Sequence, residues 1–62
     1  MTPQRELTLA CALRWRLRTR DPEGAAMASQ WRMEALARAR QAGVPEREIE
    51  SIDDEARERE AG

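Results

Sequence analysis

Apolar residues in the first third of the chain fall in two lines. Leu9, Leu13 and Leu17 recur every four residues with Ala10 beside them, and Leu7, Cys11 and Trp15 form a second line close by. Both spacings match the 3.6-residue period of a helix and not the two-residue alternation of a strand. Thr2-Pro3 supplies a start: a threonine side chain accepts from the first unpaired amides, and proline tolerates the first helical position. A first helix is expected over about residues 3–20.

Asp21-Pro22-Glu23 repeats that start signal, with a carboxylate placed favourably on the helix dipole. A second helix is expected over about residues 22–42, joined to the first by so short a connection that the pair forms an antiparallel hairpin. Ala28, Trp31, Ala35, Ala39 and Ala42 fall within about 80° on its wheel, flanked by Leu36. Gly43 stops the helix, because glycine takes the left-handed conformation at little cost. A third helix is expected over about residues 45–58, with Ile49, Ile52 and Ala56 as its apolar positions and pairs Asp53–Arg57 and Glu55–Arg59 along its surface. Beyond Ala56 only Ala61 is apolar, so fraying is expected there. The fold class is all-α: an antiparallel helical hairpin plus a shorter third helix, a single small domain over residues 1–62.

Composition adds a limit. Eleven of the hydrophobic residues are alanines, so the larger apolar side chains available for a core are few. A partner surface, either a second copy or another protein, is the simplest source of further stability. The alanine line offers one: its plainer use is to pack the second helix on the first, and its functional use is a protein interface through Ala28, Trp31, Ala35, Leu36 and Ala39. Histidine is absent and there is one cysteine, which excludes an internal disulfide and a thiolate metal cluster. Cys11 reads as a small buried hydrophobe. No catalytic constellation, metal site, cofactor or small-molecule substrate is expected. No apolar run has the length of a signal peptide or a membrane span, so a soluble, cytoplasmic chain is expected.

Charge divides the chain. Residues 1–43 carry eight arginines against four acids, and residues 44–62 carry three arginines against eight acids. The two parts should attract each other, or opposite parts of a second copy. All eleven basic residues are arginine, and four alternate in Arg14-Trp15-Arg16-Leu17-Arg18-Thr19-Arg20. Alternating arginines with a tryptophan can hold phosphates and stack a base. On a helix, however, Arg14 and Arg18 point to one side and Arg16 and Arg20 to the other. The plainer reading is a set of solvated arginines flanking a leucine core, some paired with acids of the third helix. The acids Glu46, Glu48, Glu50, Asp53, Asp54 and Glu55 lie on that helix without the turning loop that a calcium site needs.

The run from Ala39 through Gly43 and Val44 to Ile49 and Ile52 resembles the turn of the helix-turn-helix family. It has a small residue four before the glycine, a valine after it, and aliphatics on the following helix; Arg38 departs from the pattern, standing where the family places an apolar residue. The resemblance implies a second helix that lies in the major groove, with Arg14, Arg16, Arg18, Arg20 and Arg47 on phosphates. The six carboxylates on that helix oppose such a role, because DNA affinity rests on cationic contacts. The expected function is therefore a small, non-catalytic interaction or regulatory protein, homodimeric through helix–helix contacts. The alternative is a helix-turn-helix DNA-binding regulator of the kind carried by mobile elements and phages.

Overall fold

The computed structural model describes residues 1–61. Three α-helices make up the chain: α1 over Pro3–Leu17, α2 over Pro22–Gln41 and α3 over Glu46–Ala61. The two start signals act as their chemistry dictates. The Thr2 hydroxyl accepts from the Arg5 amide at 3.2 Å, and the Asp21 carboxylate accepts from the Gly24 amide at 3.1 Å. A Cβ on Gly24 would fall 2.5 Å from a carboxylate oxygen of Asp21 and 3.1 Å from Leu17. The glycine therefore leaves room for the cap where the two helices meet.

α1 ends at Leu17, short of the expected Arg20. To cap α2, Asp21 adopts φ −146° and ψ 88°, outside the helical region, as a residue before proline is driven to do. Arg18, Thr19 and Arg20 form the reversal, closed by the Asp21 amide donating to the Leu17 carbonyl at 2.9 Å. At the other corner Gly43 takes φ +87°, and the Val44 amide donates to the Ala39 carbonyl at 3.0 Å. This corner matches the reading of Gly43 as a stop.

Ion pairs fix the order of the helices in space. Glu6, early in α1, meets Arg38, late in α2, so α1 and α2 are antiparallel. Glu46, at the start of α3, meets Arg40 at the end of α2, and Glu60, at the end of α3, meets Arg16 at the end of α1. α3 thus runs alongside α1 in the same direction, and it packs on α1 more than on α2. The basic first part and the acidic last part do attract each other: Arg40–Glu46, Arg32–Asp53 and Arg16–Glu60 tie α3 down along its length. Asp53 pairs with Arg32 at 3.6 Å and not with Arg57, which instead approaches Asp54 at 3.9 Å. α3 runs to Ala61, past the expected residue 58, and near its end the Arg16 guanidinium donates two hydrogen bonds to Glu60, at 3.2 and 2.9 Å.

The core is built from small residues. Leu7, Ala10 and Cys11 of α1 meet Ala35 and Ala39 of α2, Val44 at the corner, and Ile49 and Ala56 of α3. Trp15, Trp31, Leu36 and Ile52 pack around this cluster half-buried. The line Leu7–Cys11, joined by Ala10, is the inner face of α1. The line Leu9, Leu13 and Leu17, which reads equally well as core, is not: Leu9 is 42% exposed, and Leu13 and Leu17 are only half-buried.

Candidate functional site

The alanine line of α2 is consumed inside the chain. Ala35 and Ala39 are wholly buried and Ala28 nearly so, because alanine lets the α1 and α2 axes approach. Of the two uses that the sequence allowed for this line, packing of the second helix on the first is the one these three alanines serve. Leu36 shares a line with Arg32 and Arg40, one turn before and after it, and both of these reach acids of α3, so Leu36 also belongs to the inside. Trp31 is different. It is half-buried at the edge of the α1–α2 contact, on the side away from the ion pairs to α3.

That side is an uncovered apolar face. Two adjoining hollows of about 210 and 360 Å³ share Leu13 and Trp31. Leu9 and Ala12 extend the first; Leu17 and Met27 extend the second. Met27 is 75% exposed. Glu6 fixes the geometry of this face. Its carboxylate accepts from the Trp31 indole at 3.2 Å and from the Arg38 guanidinium at 2.7 and 2.9 Å. Trp31 and Arg38 are seven residues, or two turns, apart, so one carboxylate spans both. These bonds hold the Glu6 carboxyl below the usual carboxylate range.

The edges of the face have matching charge patterns. On α1, Arg5, Leu9, Ala12 and Arg16 lie at i, i+4, i+7 and i+11, which is one line on a helix. On α2, Glu23, Met27, Gln30 and Glu34 have the same spacing. Each line spans about 16 Å at 1.5 Å per residue. Its ends are cationic on α1 and anionic on α2, and all four charged ends are exposed.

A second feature sits at the turn between α1 and α2. A cleft of about 500 Å³ is lined by Trp15, Arg16, Arg18, Thr19, Arg20 and Glu60. The Arg14 and Arg18 guanidinium carbons lie 4.8 and 5.1 Å from the centroid of the Trp15 ring, within cation–π range. Arg16 is held by Glu60, whose carboxyl is kept below its usual range chiefly by that hydrogen bond. Arg47 does not join the group. It lies near the start of α3, about 20 Å along the helix from Glu60 by the rise per residue, so the five arginines expected on phosphates do not converge.

The middle of the bundle holds Cys11 beside Arg32 and Asp53. Burial, followed by the nearby Asp53 carboxylate, pushes the thiol up to about 11, so it is protonated at neutral pH and a poor nucleophile. At the corner whose sequence resembles a helix-turn-helix turn, Ala39, Val44 and Ile49 are buried beside Gly43. Beyond it α3 lies along α1 and turns Glu48, Glu50, Asp54, Glu55 and Glu58 to solvent, a surface that repels phosphate.

The residues that form the open face, Leu9, Leu13, Met27 and the tether Glu6, were not singled out from sequence. The matched spacing of charges on the two helices was the signal that could have found the edges. No helix among the described residues is long and apolar enough to cross a membrane. Compared with protein-family models, curated proteins and solved structures, the chain matches none.

Proposed function

We propose that the protein is a non-catalytic helix-packing module that pairs with a second copy of itself through the open α1–α2 face. The observation that carries this reading is the uncovered apolar face bounded by two charge lines of equal length and opposite sign. A two-fold axis brings α1 of one copy against α2 of the other, and each such contact occurs twice. Arg5 and Arg16 then stand opposite Glu23 and Glu34 of the second copy, with Leu9 and Met27 between them. The small core supports the same conclusion, because covering Leu9, Leu13, Trp31 and Met27 adds the apolar burial that an alanine-rich interior lacks. A buried, protonated Cys11 and the absence of histidine give no support to a catalytic role.

Sedimentation equilibrium over a range of concentrations tests this. A concentration-dependent dimer is expected for the wild-type chain. Met27→Glu should yield a monomer with unchanged helical content, since Met27 is largely exposed and makes little of the fold. Glu34→Arg should weaken pairing by placing like charges together. A wild-type chain that stays monomeric throughout would sink the proposal.

A further inference from the structure

We propose that the end of the bundle at the α1–α2 turn binds the phosphate backbone of single-stranded nucleic acid. The site lies at the turn, beyond the open face; it shares Arg16 with the edge of that face, whereas Arg18, Thr19 and Arg20 belong to this site alone. Its first element is the cleft between the turn and the end of α3, which is within the size range of ordinary ligand sites. The second is the imbalance of its lining: among the described residues, Arg16, Arg18 and Arg20 face one carboxylate, Glu60, in a chain whose net charge is −1. The Thr19 hydroxyl lies among them as an additional donor.

The arginines are also organised. Arg14 and Arg18 rest over the Trp15 ring, which orders a guanidinium without neutralising it. An acid at the same place would cancel the charge. Among the described residues, Arg14, Arg18 and Arg20 pair with no carboxylate within 4.0 Å, whereas Arg16, Arg32, Arg38 and Arg40 each do. Because guanidinium groups lie against the Trp15 ring, recognition at this end runs through charge and not through base stacking. A concave, cationic end fits a single strand that tracks through it. The acidic flank of α3 keeps a bulkier duplex away.

Glu60 occupies part of this cleft as the chain's own anion. It satisfies Arg16 and competes with an incoming phosphate. The same end of the bundle therefore admits a test that a merely structural cluster would fail. Fluorescence anisotropy of a labelled single strand of about twelve nucleotides reads the affinity. With three arginine–phosphate contacts, the logarithm of affinity should fall with that of salt at a slope of about 2, or about fifteenfold between roughly 50 and 200 mM. Arg18→Gln with Arg20→Gln should lower the slope to about 0.7, as two contacts are lost. Glu60→Gln should tighten binding, and Met27→Glu should bind as the wild type does, which separates this site from pairing. The proposal is overturned if no binding is found at the lower salt, if the double arginine variant binds like the wild type, or if Glu60→Gln fails to tighten it. A duplex of equal length bound as tightly would overturn the assignment to a single strand.

Discussion

The two sides of α1 carry similar numbers of apolar residues and meet different fates. On the inner side Leu7, Ala10 and Cys11 are wholly buried, covered by α2 and α3 together. On the outer side Leu9, Leu13 and Leu17 share a shallow face with Met27 and Trp31 and have no third helix over them. The difference lies in the cover and not in the hydrophobicity of the two lines. α3 closes the inner side with Ile49 and Ala56 and locks its edges with arginine–carboxylate pairs at three heights. The outer side has an apolar floor and charged edges of the same kind, and it is the face we propose a second copy covers.

The sharpest way to break this comparison is to truncate one residue from each side. Leu7→Ala should cost about 2–5 kcal/mol in urea unfolding, because it empties the largest fully buried site. Leu9→Ala should cost less than about 1 kcal/mol in the monomer, given its exposure. Equal losses would show that the outer line is as well covered as the inner one. A smaller effect is expected at the corner that directs α3 to its side. Gly43→Ala forces a side chain into the left-handed region and should cost about 1–2 kcal/mol, and an unchanged midpoint would mean that the corner relaxes freely.

The mildest test uses pH. Glu6, Glu46 and Glu60 are each held below the usual carboxylate value of 4.5, chiefly by a hydrogen bond from Arg38, Arg40 and Arg16 respectively. In the unfolded chain these groups take up protons at the ordinary value. Their contribution is therefore complete above about pH 4.5 and is lost as pH falls through the lower folded values. Thermal melts between neutral pH and pH 2 should show that decline, and Glu6→Gln should flatten it. Identical profiles for the variant and the wild type would mean that the Glu6 clamp adds nothing.

Local chemistry was legible in the sequence. Thr2, Asp21, the prolines after them and Gly43 act within a few residues of themselves, so their roles follow from type and position alone. The attraction of the basic part for the acidic part was legible too, because it depends only on charge. Glu6 was not, since its partners Trp31 and Arg38 lie on another helix, and neither was the separation of Arg47 from the other arginines.

The amino-acid sequence by itself determined three helices, two tight corners and the sign of each charged segment, because caps, turns and periodicity are short-range. Only the tertiary structure decided which face of α1 became core. Leu7–Cys11–Trp15 and Leu9–Leu13–Leu17 have the same helical period, and nothing local separates them. The choice fell to the first line because Ala10 and Cys11 are small enough to meet Ala35 and Ala39 at close range while α3 folds over them. The leucine line was left at the surface by that packing, and with it the face now proposed to meet a second copy.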